Sequence, residues 1–493
     1  MPPSPHPVPR VSRALVLAAL ALAGCDLGPA FTRPDAPVPP AFRADAAPPA
    51  WPDAAWWRGF GSPELDSLIA AAQAYNQDLA AARARIRQAD AAVRIAGAAL
   101  LPSVSGSGAA NWRQTSTLAN GQQVQRDVRA YSLGLDIGWE VDFWGRNRAG
   151  AEAARADAIA ARYDEQATAI SVVTAVAQSW FLALAINDRL AVARRNIADS
   201  EQTLRVVRGR FEAGTANALD VAQQEALLAG QRARLPDLAN QVEQQLIALG
   251  ILTGRAPAEI ALRPGSLTRL RRPDVAPGLP SELLARRPDI AAAEARLVAA
   301  NADLRAARAA FFPTVRLTGS AGLQSAAFSA LFAPGALVAS LAAGVAQPIF
   351  DGGRLRGGLQ LASAREAELL ARYRAAVLQA LTDVDTALTA LRASRAQERL
   401  QGEAVARARR AAEIARAQLA AGAVDLTAVL QAQTTLYAAQ DALAVVRQAQ
   451  ILSLLALFKA LGGGWTLPDA PPAVGPADPV SGGIALPVGG NLR

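Results

Sequence analysis

Two kinds of hydrophobic rhythm divide this chain. From Val128 to Asp142, Tyr131, Leu133, Leu135, Ile137, Trp139 and Val141 fall on one parity. Ser132, Gly134, Asp136, Gly138, Glu140 and Asp142 fall on the other. A period of two predicts a strand with one apolar face and one polar or tiny face. Ser103 to Arg113 alternates more weakly, with Val104, Gly106, Gly108, Ala110 and Trp112 on one face. Asn120-Gly121 lies between the two segments and signals a turn, so a hairpin is predicted over about residues 102–142. A second hairpin is predicted over about 313–350. There Val315, Leu317, Ala321 and Leu323 alternate with Thr314, Arg316, Thr318 and Ser320, and Ala339, Leu341, Ala343 and Val345 follow.

After each hairpin the period changes to that of a helix. Ile170, Val173, Ala177, Trp180 and Leu184 step by three and four, then Leu190, Ile197, Leu204 and Phe211 recur every seven. Val377, Leu381, Val384, Leu388 and Leu391 do the same after the second hairpin. This is heptad-type packing with Ala-rich seams. The run from Asn147 to Phe211 predicts a rod ~100 Å long. Each run pauses at a glycine, Gly214 or Gly422, which fits a helix cap and a reversal. A second helix then extends to about Leu249 or Leu461.

The two halves also match residue by residue. DLAAARARIRQADAAVRIAGAALLP from Asp78 reappears as DIAAAEARLVAANADLRAARAAFFP from Asp289, without a gap. FWGR (Phe143 to Arg146) pairs with DGGR (Asp351 to Arg354). A repeat of this kind is the first thing to settle in a fold assignment. The predicted organisation is a leader over 1–24, an extended lead-in over 25–61 and a first copy over 62–257. A linker over 258–280, a second copy over 281–465 and a Gly- and Pro-rich tail over 466–493 complete it.

Composition narrows the function classes. The 493 residues are 52% hydrophobic and 19% charged, with one Cys, one Met and one His. Arg10 and Arg13 precede the apolar run Ala14 to Leu22, and Leu22-Ala23-Gly24-Cys25 reads as a lipoprotein cleavage box with Cys25 as the lipidation site. Cleavage there removes Met1 and His6. The mature chain then has no histidine, hence no Ser-His triad, and no nucleophile elbow, P-loop or HExxH motif is present. No enzyme activity, no metal site and no cofactor is predicted. The net charge of +8 comes from arginines interleaved with Glu and Asp along helical faces, which argues for solvated helices and no nucleic-acid partner. No segment after the leader reaches ~18 uninterrupted apolar residues, so no transmembrane helix is expected.

Four strands leave two readings open. They form either a small β-subdomain packed on the helices or part of a membrane barrel. The apolar face with Trp112, Tyr131 and Trp139 favours the membrane, with Asp136, Glu140 and Asp142 lining a wet lumen. Known barrels need at least eight strands, and open edges cannot sit in hydrocarbon. One chain therefore cannot close a barrel, and several must share it.

WEVDFWGR (Trp139 to Arg146), QPIFDGGR (Gln347 to Arg354), KALGGGW (Lys459 to Trp465), the lipobox and the doubled helix–hairpin–helix pattern resemble the outer-membrane factors, the TolC family. The resemblance extends to their lipidated NodT-like branch, which serves resistance-nodulation-division pumps. It covers nearly the whole chain from Cys25 to Trp465. It implies an α+β fold, in which a long antiparallel coiled-coil tunnel joins four strands per chain in a trimeric twelve-stranded transmembrane barrel. It also implies a homotrimer in the outer membrane, partnered by outer-membrane lipid, a periplasmic adaptor (membrane fusion) protein and an inner-membrane transporter. Its task would be to export small toxic solutes passively, with protein secretion or metal-ion efflux as alternatives, and a pore-free coiled-coil lipoprotein as a distant one.

In such a protein the adaptor-docking tips are Arg210, Phe211 and Gly214 in one copy and Leu419 and Gly422 in the other. The gate candidates are Asp220, Asp425 and Gln431. Gln431 stands at the position where the family commonly has an acid and where copy one has Asp220.

Overall fold

The structure, a computed structural model, describes residues 31–35, 38–43, 51–119, 122–263, 265–275, 278 and 280–465. The predicted leader with Cys25, the Asn120-Gly121 turn and the tail over 466–493 lie outside the described residues. Helices α1 (Pro63–Tyr75) and α2 (Gln77–Ala98) precede strands β1 (Ser103–Ala119) and β2 (Gln122–Val141). Helices α3 (Arg146–Glu212) and α4 (Ala218–Thr253) follow. Then come α5 (Pro288–Ala309), β3 (Thr314–Ser325), β4 (Leu337–Ala346), α6 (Arg354–Ala420) and α7 (Leu426–Ala460). The order helix, strand pair, very long helix, shorter helix thus occurs twice.

Helices α3 and α6 have 67 residues each, which makes rods ~100 Å long. Their partners α4 and α7 have 36 and 35 residues. Local chemistry marks the boundaries. The Ser62 side chain accepts from the Leu65 N–H and Pro63 fills the first turn of α1, where a missing N–H costs nothing. The Asn76 side chain caps α2 by accepting from Asp78 and Leu79, and its amide donates to the Leu252 carbonyl. One buried asparagine thereby starts α2 and ties it to the end of α4.

The main core lies where the helices cross the lead-in. Trp56, Phe60, Trp180, Phe181 and Phe458 meet there. Trp56 stacks on Phe458 at 4.5 Å between ring centroids, and Phe60 meets Phe181 edge-on at 4.8 Å. Each such ring buries enough area to stabilise by ~2–3 kcal/mol. Toward the strands α3 and α5 approach closely through Ala153, Ala156, Ala299 and Ala302, as Ala-rich seams allow.

Helices α3 and α7 do contain 18-residue stretches apolar and long enough to cross a membrane, which counting uninterrupted runs does not detect. Of these stretches, 61% and 44% respectively are buried inside the protein. Their side chains, Val173, Val176, Trp180 and Leu184 on α3 and Leu454, Leu455 and Phe458 on α7, belong to the core.

A glycine triplet closes this core. Gly462, Gly463 and Gly464 all have positive φ (87°, 60° and 67°). A Cβ on Gly462 would stand 2.1 Å from the Arg286 carbonyl oxygen, and one on Gly464 2.1 Å from the Asp53 carbonyl oxygen. Only glycine fits both the dihedrals and the space. The next residue, Trp465, donates its indole N–H to the Arg286 carbonyl at 2.5 Å. Alongside, the buried Arg287 guanidinium reaches Asp289, Asp383 at 2.9 Å and the Ala460 carbonyl at 3.1 Å.

One pair of carboxylates works against the fold. Partial desolvation, and then the nearby Asp303 charge, pushes the exposed Asp157 carboxyl above its usual range, while Arg365 and Arg296 act the other way. Partial desolvation likewise raises the exposed Asp303. A raised folded pKa means that the stabilisation is complete below the unfolded value and is lost as pH rises through the folded one. Asp157→Asn and Asp303→Asn should therefore raise the thermal unfolding midpoint at pH 8, a gain that shrinks toward pH ~4. Calorimetry across pH checks this, and a pH-independent shift would contradict it.

Candidate pore-lining sheet and helix tips

The four strands form one antiparallel meander in the order β1-β2-β3-β4. The registers run without a bulge from Ser103↔Gly138 to Ala119↔Gln122, from Tyr131↔Ser325 to Val141↔Val315, and from Thr314↔Ala346 to Leu323↔Leu337. Because side chains alternate, these pairings place Val104, Leu133, Leu135, Ile137, Leu317, Leu323, Leu341 and Val345 on one face. Ser105, Ser107, Asp136, Glu140, Arg316, Thr318 and Ser320 stand on the other. The apolar face is uncovered in this chain: Leu341 is 88% exposed and Ile349, just past β4, is 92% exposed. Tyr131 and Trp139 share that face eight residues apart, ~27 Å of strand. At the usual barrel tilt this is ~20 Å of height, close to the spacing of two aromatic girdles.

On the polar face the Ser107 hydroxyl donates to Asp136 at 3.0 Å, and Arg146 pairs with both Glu140 oxygens at 2.7 and 2.8 Å. Asp142, expected beside them in the lumen, is not part of the sheet. It lies just past β2, and its carboxylate accepts from the Asn147 and Arg148 N–H groups at 3.0 and 2.8 Å. It satisfies orphan donors at the start of α3, whose N-cap Gly145 is left-handed and has no side chain to do so. Asp351 does the same for α6, accepting from Leu355 and Gly353. The Leu355 N–H bond, more than any other contact, holds the Asp351 carboxyl below its usual range. The repeated WEVDFWGR and QPIFDGGR motifs thus encode a strand-to-helix joint. Arg146, which the motif also carries, braces this joint by pairing with Glu140.

At the far end α3 and α6 both finish in a Schellman turn. Gly214 and Gly422 are left-handed, with φ of 72° and 70°. Thr215 N–H donates to the Arg210 carbonyl and Ala423 N–H to the Gln418 carbonyl, each at 2.8 Å. The tips differ in what they expose. Phe211 is 46% exposed. Leu419, expected on a docking surface, is 5% exposed and packs with Val207, Leu426 and Val429. The corresponding leucine in copy two turns inward and seals the two tips together. Arg210 donates across the seam to the Leu419 carbonyl at 2.8 Å.

The two acidic gate candidates sit at helix starts. Asn217 and Asp220 form a capping box, and the Asp425 side chain accepts from the Ala428 N–H. Asn217 and Asp425 each stand three residues after a turn glycine, so Asp220 corresponds to Ala428 and not to Gln431. Gln431 is exposed further along α7. Deeper between the hairpins lies a polar ladder that sequence reading missed. Gln433 donates to the Thr203 hydroxyl at 2.8 Å, Gln224 donates to the Ser200 carbonyl at 3.0 Å, and the Ser200 and Tyr437 hydroxyls meet at 3.2 Å.

A one-sided sheet whose edges have no partner among the described residues, carried on paired rods with turned tips, fits a membrane duct. A family model described as outer membrane efflux protein matches residues 68–255 and 279–463. The pyoverdine export outer membrane protein OpmQ of Pseudomonas aeruginosa is 41% identical over 415 residues, 83% of this chain and 87% of that protein. Outer membrane protein OprJ of the same organism is 34% identical over 91% of this chain and 95% of its own length. The crystal structure of the open state of the Neisseria gonorrhoeae MtrE outer membrane channel matches with a TM-score of 0.80 and 29% identity. That likeness covers 89% of this chain and 98% of MtrE. The chain belongs to the outer membrane efflux protein family, and it is an efflux channel protein of the Gram-negative outer membrane.

Burial separates the two tip residues by experiment. Leu419→Ala should destabilise the tip by ~2–5 kcal/mol and speed amide hydrogen exchange around Val207 and Leu426. Phe211→Ala should leave that exchange within a few tenths of a kcal/mol of the parent. Equal effects of the two substitutions would refute the assignment.

Proposed function

We propose that this chain is the exit duct of a tripartite efflux pump, a homotrimer whose three sheets close a twelve-stranded barrel. The observation that carries the reading is the sheet itself: one continuous apolar face, one polar face and two edges, β1 and β4, without partners among the described residues. In hydrocarbon each unpaired backbone group costs several kcal/mol, and pairing β1 of one chain with β4 of the next removes the open edges over the height that all four strands share. Asp136 and Glu140 would then line the lumen. The long helices would continue the barrel as a periplasmic tunnel, and the doubled element order supports an internal duplication.

The tips at Gly214 and Gly422, with Phe211 outward and Arg210 bracing the seam between them, would receive the periplasmic adaptor of an inner-membrane transporter. Gating would act where the two hairpins are held together, at the polar ladder and the caps Asp220 and Asp425. No catalytic step is required, since the transporter supplies the energy. OpmQ, named for pyoverdine export, favours small organic cargo for this chain.

Purified protein should form pores in planar bilayers and migrate as a heat-modifiable trimer on gels. A monomer without conductance would refute the duct. Cys25→Ser should abolish incorporation of labelled palmitate, and undiminished labelling would refute the lipid anchor.

A further inference from the structure

The β1–β2 hairpin outgrows its neighbours. Its last pairing with β3 is Tyr131↔Ser325, yet β1 and β2 remain paired up to Ala119↔Gln122. Nine residues of each strand, Asn111–Ala119 and Gln122–Ala130, therefore project beyond the sheet by ~30 Å. They project at the end away from the helices, since β1 starts directly after α2.

Charge is sorted between the two faces of this projection. The unbroken register carries the parity of the polar face upward through Asn111, Arg113 and Thr115 on β1 and Arg126 and Val128 on β2. Its charged residues are both arginines. Arg113 lies opposite Val128 and Arg126 opposite Thr115, which makes them diagonal neighbours ~7–8 Å apart. The acid of the projection, Asp127, falls on the opposite face together with Arg129 and balances it. Arg113 and Arg126 are exposed, and neither forms an ion pair among the described residues. The other connection at this end, residues 326–336, has no charged residue.

The acids lower on the same face do not cancel these charges. Asp136 lies eight residues below the Arg113↔Val128 pair, ~27 Å of strand, against a screening length of ~8 Å. Glu140 is further away and is already paired with Arg146. Two like charges held side by side without counter-ions repel each other, a cost that a merely structural surface has no reason to carry.

Resting on the reading of the polar face as the lumen, we propose that Arg113 and Arg126 form a cationic collar at the external mouth that favours anionic solutes. Three chains would place six guanidinium groups around one axis. Such a ring raises the local concentration of small organic anions and disfavours cations.

The test is the reversal potential of single pores under a KCl gradient in planar bilayers. Wild-type pores should prefer chloride to potassium. Arg113→Gln/Arg126→Gln should lower that permeability ratio by about threefold or more. Arg113→Lys/Arg126→Lys should preserve it, and Asp136→Asn should raise it slightly. The preference should fade near 1 M salt, where screening shortens to ~3 Å. Pores of the double glutamine variant with unchanged selectivity would overturn the collar while leaving the duct intact. Failure of the wild-type chain to form pores would overturn the duct reading and the collar with it.

Discussion

Backbone hydrogen bonding in a waterless medium is the constraint from which the rest of this molecule follows. A helix satisfies its own N–H and C=O groups, but a sheet does so only if it has no edge. This chain commits four strands to an uncovered apolar face and leaves β1 and β4 at the edges. The other features position that sheet at one end of the molecule. The strands leave and re-enter the helices through tight joints built on Asp142 and Asp351. The helices are long because the sheet sits at one end of the molecule and the tips at the other. The Trp and Phe core between them holds the rods against one another and so fixes where the strands start.

Much of this was written in the rhythm of the sequence. A period of two located both hairpins, and a period of seven located the rods, because burial on one side of an element leaves a trace in hydrophobicity. Glycines gave the turns, since a left-handed residue at a helix end is hard to replace. Outcomes that depend on a few ångströms were not legible. Asp136 and Asp142 share a parity, but the strand ends between them, and the second carboxylate goes to a helix N-terminus. Leu419 occupies the place that Phe211 holds in the first copy, yet it faces inward because copy two closes over copy one at the tip. Asp220 was matched with Gln431 by local motif, whereas the caps Asn217 and Asp425 set the frame. In each case the deciding contact joins residues distant in sequence or settles an end that periodicity does not define.

The two copies are alike where geometry is demanding and unlike where the two ends must act. Both keep a 67-residue rod, a left-handed glycine and a Schellman turn. They diverge in strand length, with β1 and β2 at 17 and 20 residues against 12 and 10 for β3 and β4. They diverge again at the tips, where one side chain is presented and its counterpart is hidden. The two halves thus share their scaffold and differ at the strand ends and at the tips.

The glycine triplet has a consequence for how the chain matures. Gly464 can lie against the Asp53 carbonyl only after nearly all of the polypeptide between them has been made. The aromatic centre that seats the lead-in also needs Phe458 from α7. The lead-in, made early, is therefore among the last parts to find its place, and a chain cut short before this point lacks the piece that closes its core. Closure of the core is thereby tied to completed synthesis, and a chain cut short would keep its centre open.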